Sequence, residues 1–312
     1  MKSSRNKTID IDTEEGAVYL GRCLRYARRY GHADDIVDAS AIIDRTMLGD
    51  SLKIMRHLPN EFADLIIADP PYNMDKDFDG KSFKKASDSD YKEYTEEWLK
   101  LSLPLLKDTG TIYVCCDWRS SPAVYEVLGR YFKIRNRITW QREKGRGAKA
   151  NWKNSMEDIW FATKSDRYTF NIDAVKIRRR VIAPYKKDGK PKDWEETENG
   201  NFRNTCPSNF WDDISVPYWS MSENTAHPTQ KPEKLLAKLI LASSNEGDTV
   251  FDPFLGSGST SVTAKKLGRH YFGIEQNEKY CVWAEKRLEM ADTVKTIQGY
   301  SDGIFWERNT IH

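Results

Sequence analysis

Apolar and polar positions along the chain switch repeatedly between two periods. Short apolar runs occupy 45–48, 63–68, 111–116, 134–141, 158–163, 249–252 and 270–275, and each predicts a strand. Between most of them the apolar residues recur at helical spacing, which predicts helices over 51–58, 91–106, 121–131, 228–244, 260–267 and 278–290. Leu52, Met55 and Leu58 share one helical face, as do Leu235, Leu236, Leu239, Ile240 and Ala242. Strand and helix in alternation define an α/β class built on a mostly parallel sheet. Residues 1–44 read as an N-terminal extension, with a helix near 17–30 whose Tyr19, Leu20, Cys23, Leu24 and Tyr26 cover the core. Residues 293–312 read as a loosely attached tail.

The periods fail in two places. Residues 75–89 form a polar loop rich in Lys, Asp and Ser, long for a plain connection. From 171 to 224 no period persists, and cations (Arg178, Arg179, Arg180, Lys186, Lys187) interleave with aromatics (Trp194, Phe202, Phe210, Trp211, Tyr218, Trp219). That composition suits phosphate contact and base stacking, although charged runs also occur on plain solvated faces. With the basic loop 142–151, it forms a candidate target-recognition region inserted into a domain made of 45–170 and 225–292.

Composition changes this picture only through its distribution. The 312 residues carry a formal net charge of +2, yet 133–192 holds 18 Lys or Arg against 6 Asp or Glu. That segment is therefore at +12 on a body at −10. The five cysteines show no paired metal-ligand spacing, and their odd number argues against a disulfide framework. With no apolar leader and no run of membrane-spanning length, a soluble cytoplasmic protein is expected.

Two strand ends carry candidate chemistry. The run 63–68 breaks into Asp69-Pro70-Pro71-Tyr72-Asn73. Two prolines hold the backbone extended, so the Asp69 carboxylate and the Pro70 carbonyl become adjacent, fixed acceptors, with the Tyr72 ring beside them. Paired acceptors and a ring suit a flat heterocycle bearing an amino group. Taken alone, the tetrapeptide also reads as a strand entering a proline-rich turn. The second end is Asp252-Pro253-Phe254-Leu255-Gly256-Ser257-Gly258, a strand-to-helix turn whose glycines let a ligand approach the backbone. Glu275 closes the next strand 17 residues after Gly258, where an acid accepts bonds from ribose hydroxyls. Ser261 replaces the third glycine of the dinucleotide pattern, which disfavours NAD. Open α/β sheets bind ligands at such strand ends, and adjacent strands would bring a nucleoside cofactor against an amine.

These motifs together resemble the S-adenosylmethionine-dependent DNA amino-methyltransferases of bacterial restriction-modification systems. Their order, catalytic motif before cofactor motif, is that of the beta class. The resemblance spans roughly residues 46–288 and includes the lead-in His227-Pro228-Thr229-Gln230-Lys231-Pro232. It implies a Rossmann-like methyltransferase sheet with one reversed strand, duplex DNA as partner, and base flipping. It admits two protein partners, a cognate restriction endonuclease and a second copy of the chain. By position, Asp69 and Pro70 hold the target amine and Tyr72 stacks on the base. Asp252, Phe254, Gly256, Gly258 and Glu275 hold the cofactor. Thr229, Gln230 and Lys231 close over its methionine portion, unless they are simply a helix entry. Asp50 is a cofactor contact or a helix cap. Pro71, Asn73, Arg142, Lys144, Arg146, Arg178, Arg179 and Arg180 are the candidate substrate contacts. Asp at the first position leans toward adenine N6, with cytosine N4 as the alternative. A non-catalytic DNA-binding module that keeps the fold is disfavoured because both motifs are intact, and the chemistry calls for no metal.

Overall fold

Leu65 and Ile67 point to one side of the strand Ala63–Ala68, Ile66 and Ala68 to the other, and all four are buried. Such a strand needs a helical layer on each face. The computed structural model describes residues 3–25, 36–78, 81–142, 149–182, 185–188 and 190–308. Among the described residues the main sheet has nine strands. In chain order they are β1 (Leu24–Arg25), β2 (Arg45–Leu48), β3 (Ala63–Ala68), β4 (Leu106–Cys116), β5 (Lys133–Gln141), β6 (Met156–Thr163), β7 (Phe210–Trp211), β8 (Thr249–Asp252) and β9 (His270–Glu275). Across the sheet the order is β1-β2-β9-β8-β3-β4-β6-β5-β7. Every neighbouring pair is parallel except the two made by β6, the one reversed strand.

Helices cover both faces. On one lie α2 (Asp88–Leu105) and α3 (Ser121–Tyr131), packing Trp98, Leu99, Val124 and Leu128 against Ile66, Val114 and Phe251. On the other lie α4 (Glu233–Ser243), α5 (Ser259–Lys266) and α6 (Glu278–Thr293), packing Leu235, Leu239, Val262 and Leu288 against Leu65, Ile67 and Val250. At the N-terminus α1 (Thr13–Arg22) is capped by Asp12 and pairs with α6 through Arg22 and Glu289, 3.1 Å apart. The helix expected near 17–30 thus starts earlier and ends at Arg22; β1 then adds an edge to the sheet, and residues 26–30 lie outside the described ones.

Other boundaries also moved. The helix expected from 91 begins at Asp88, because Ser87 caps it and the Ser87 hydroxyl accepts the Asp90 N–H at 3.1 Å. The helix expected from 228 begins at Glu233. Pro232 disfavours helical geometry at Lys231, so the whole lead-in stays irregular.

Two expectations need correcting. Segment 171–224 is not merely loops, and the tail beyond 292 is not loosely attached. Strands Glu195–Thr197, Gly200–Thr205, Ile177–Arg180, Ile304–Trp306 and Tyr300–Ser301 form a second sheet in that order. Its Ile177 and Phe305 pack with Ile297 on Ala237, Leu241 and Ala242 of α4. The strands were hidden because one face is solvated and carries Arg and Asn rather than an alternating apolar set. Among the described residues no helix is long and apolar enough to cross a membrane.

Candidate active site

Asp69 follows β3, Asp252 ends β8, Glu275 ends β9 and Asp50 follows β2, so neighbouring parallel strands deliver four carboxylates to one rim. All four line a cavity of about 600 Å³. The two motif strands are direct neighbours, with Phe251 paired to Ile66.

The glycine-turn half is ordered by its own carboxylates. Asp252 Oδ1 accepts the Phe254 N–H at 2.8 Å and Oδ2 accepts the Thr260 hydroxyl at 2.6 Å. Burial pushes its carboxyl up to about 7, against the pull of those two bonds. Glu275 Oε2 accepts the Gly256 N–H at 2.8 Å, and Oε1 accepts the Asn277 N–H at 2.7 Å. Gly256 has φ +56°, and a Cβ there would stand 3.1 Å from His227 Nε2. At Gly258, with φ +84°, a Cβ would come within 2.6 Å of the Ala284 Cβ. The first glycine keeps the turn open to a ligand and the second lets α6 pack beneath it. His227 is held neutral: burial, helped by the Lys231 charge, lowers it to about 3.

The Asp69 half is a network of charges. Tyr72 Oη donates to Asp69 Oδ1 at 2.8 Å. Lys231 Nζ donates to Asp69 Oδ2 at 2.6 Å and to Tyr72 Oη at 3.0 Å, and it pairs with Glu157 Oε2 at 3.2 Å. Arg142 in turn bonds to Glu157 Oε1. Burial raises the Tyr72 hydroxyl well above its ordinary value, and the charges of Asp69 and Glu157 raise it further. At Glu157 burial works against ionisation, but Lys231 and Arg142 outweigh it and the carboxyl sits below its usual range. The Tyr91 hydroxyl donates to the Pro71 carbonyl at 3.3 Å and steadies the proline turn.

Of the residues singled out from sequence, Asp50, Asp69, Pro70, Pro71, Tyr72, Arg142, Thr229, Gln230, Lys231, Asp252, Phe254, Gly256 and Glu275 all line this cavity. Asp50 also caps the short helix Ser51–Ile54, accepting the Leu52 N–H at 2.9 Å. Gln230 braces the lead-in, accepting from Thr225 and donating to the Glu223 carbonyl at 2.6 Å. Lys231, expected over the cofactor, instead contacts the amine-holding residues. Asn73 does not line the cavity; its side chain clamps Ala86 through bonds of 2.8 and 3.2 Å. Arg178 is engaged within the second sheet, on Glu195 at 2.9 Å and beside the Phe202 and Trp306 rings. Arg179 pairs with Glu307, and Arg180 is exposed. Lys144 and Arg146 lie outside the described residues. Glu157 was missed: it sits at the start of the reversed strand, whereas the strand-end rule looks to where strands finish.

Fold and site together define an α/β enzyme with a nucleoside-type turn beside an amine-binding tetrapeptide. A family model described as DNA methylase matches residues 63–286, and the chain belongs to that family. It is 35% identical over 250 residues to the type II methyltransferase M.HpaI of Haemophilus parainfluenzae, covering 78% of this chain and 74% of that one. It is 36% identical over 250 residues to the DNA adenine methyltransferase YhdJ of Escherichia coli (strain K12), covering 78% and 82%. Among solved structures, a DNA modification methylase of Thermus thermophilus, TTHA0409, complexed with S-adenosyl-L-methionine, superposes with a TM-score of 0.54. That match is 19% identical and covers 86% of this chain and 99% of the other, so the likeness is one of fold.

Proposed function

We propose that the protein methylates the N6 amine of adenine flipped out of duplex DNA, using S-adenosylmethionine. The observation that carries this is the opening of Asp69-Pro70-Pro71-Tyr72 and of the Asp252–Gly258 turn with Glu275 onto one cavity. The cofactor suits the turn half, where a buried carboxylate at Asp252 answers a cation, Glu275 offers acceptors to hydroxyls, and Gly256 spares the backbone a side chain. S-adenosylmethionine supplies an electrophilic methyl group when bound. Asp252, Phe254, Gly256, Glu275 and Thr229 would hold it.

Asp69 and the Pro70 carbonyl accept the two N–H groups of the amine. Those bonds favour a tetrahedral nitrogen whose lone pair, otherwise delocalised into the ring, faces the methyl donor. The nitrogen sheds its proton only after becoming cationic, so Asp69 acts as an acceptor and need not be a base beforehand. Extrusion of the base costs a few kcal/mol, which packing on the Tyr72 ring partly offsets. The adenine reading is supported by Asp at position 69 and by the relative named as a DNA adenine methyltransferase.

DNA contact is assigned to the loop from Arg142 to residue 151 and to the exposed face of 171–224. A cognate endonuclease, a homodimer and a cytoplasmic location complete the setting and follow from the restriction-modification resemblance; sedimentation of the purified protein with and without duplex checks the dimer. For the activity, the protein is incubated with labelled S-adenosylmethionine and mixed-sequence duplex DNA, and the nucleosides are separated. N6-methyladenine is expected; N4-methylcytosine would replace the base assignment, and unlabelled DNA with cofactor still bound would refute the enzyme reading.

A further inference from the structure

Lys231 is 8% exposed, and its three acceptors, Asp69 Oδ2 at 2.6 Å, Tyr72 Oη at 3.0 Å and Glu157 Oε2 at 3.2 Å, match the three protons of an ammonium. Its Nζ is 5.4 Å from the Tyr72 ring centroid but only 3.0 Å from the hydroxyl. The charge therefore lies off the hydroxyl end of the ring and leaves the ring face to a base. Glu157 is shared between Lys231 and Arg142, the residue at which the chain enters the basic loop. Two carboxylates and two cations thus close a neutral quartet with one member, Asp69, facing the amine.

Resting on the function proposed above, we propose that Lys231 is a positioning residue for methyl transfer: it keeps Asp69 an acceptor-only carboxylate aimed at the amine, and Glu157 with Arg142 ties this clamp to the DNA-facing loop. A half-buried carboxyl without a cation beside it readily takes up a proton, and then presents a donor where an N–H needs an acceptor. Burial by itself would discharge Lys231, but Asp69 and Glu157 outweigh it and hold the ammonium above its ordinary value. The other ionisable groups around Asp69 do not substitute: Cys115 is kept neutral by burial, Lys76 is lowered by burial, and Asp252 belongs to the glycine turn.

The competing role is the one expected from sequence, contact with the cofactor, and the two separate cleanly. Lys231→Met should lower kcat for methyl transfer by about 100-fold, the scale for a misplaced reacting group. Its affinity for S-adenosylmethionine, read by calorimetry, should stay within about threefold of wild type, a change under about 1 kcal/mol. Propylammonium should restore part of the Lys231→Met rate and propanol should not. In an Asp69→Asn background the second substitution should cost little more, since both act on one group. Lost cofactor affinity with kcat retained, or a full multiplicative loss in the double variant, overturns the proposal.

One readout needs neither DNA nor turnover. The Lys231 ammonium, protected by three acceptors, should give a slowly exchanging ¹⁵N signal that shifts in Asp69→Asn and in Glu157→Gln; a signal indifferent to both overturns the clamp. Wild-type protein that labels no DNA yet shows this signal would refute the proposed function and leave the clamp standing.

Discussion

Asp69 and Asp252 are both carboxylates at strand ends, and their neighbours give them opposite characters. Asp69 is bonded to the Lys231 cation, whereas the two bonds to Asp252 come from neutral donors and burial lifts it to about 7. Below that pH Asp252 is protonated in the native state and attracts no cation. Affinity for the cationic cofactor should therefore rise with pH, by up to about tenfold per unit, and level off above about 7. Stability runs the other way. The unfolded chain releases this proton in the ordinary carboxyl range, so the Asp252 contribution is present at low pH and falls as pH rises toward 7. Asp252→Asn should flatten the binding profile measured by titration calorimetry. Asp69→Ala should abolish transfer, by about 100-fold or more, with cofactor affinity nearly unchanged; wild-type turnover in that variant would remove Asp69 from the mechanism. At this scale the site was legible where its residues are contiguous, as in Asp69 to Tyr72 and Asp252 to Gly258. It was illegible where a role depends on a partner far along the chain, as with Lys231, 162 positions from Asp69.

Elements show the same division. The strands ending in Asp69, Asp252 and Glu275 are buried on both faces and announce themselves as apolar runs. The second sheet does not, because Ile177–Arg180 and Gly200–Thr205 bury few side chains and depend on the distant Ile304–Trp306. What joins segment 171–224 to the body is partly ionic. Asp213 receives Lys238 at 2.8 Å and Lys234 at 2.7 Å, with Lys238 1% exposed on the side chain. Burial lowers Lys238 to about 8, and Asp213 keeps it from falling further. Asp213→Ala would strand that ammonium, and should cost about 3–5 kcal/mol by denaturant unfolding. A variant as stable as wild type would show that the segment is held by Ile177 and Phe305 alone.

Over the whole molecule, charge is segregated as well as chemistry. The cavity is rimmed by carboxylates, while the excess of Lys and Arg falls in 133–192. DNA affinity should therefore drop steeply and linearly on a log–log plot against salt, while cofactor affinity changes little over the same range. Equal salt slopes for the two ligands would count against the basic segment as the DNA surface. The reversed strand β6 organises the boundary between these regions. Because it runs backwards, its first residues stand on the rim where its neighbours finish, with Asp158 opposite Cys116 and Met156 opposite Gln141. The chain thus leaves the rim at Arg142 and returns to it at Ser155, and the Arg142 N–H closes the two feet on the Ser155 carbonyl at 2.6 Å. A loop stapled at its base in this way is an exchangeable cassette. Its length and side chains can change without altering the register of either strand, so a new recognition sequence can be grafted there while the catalytic pocket is left as it is.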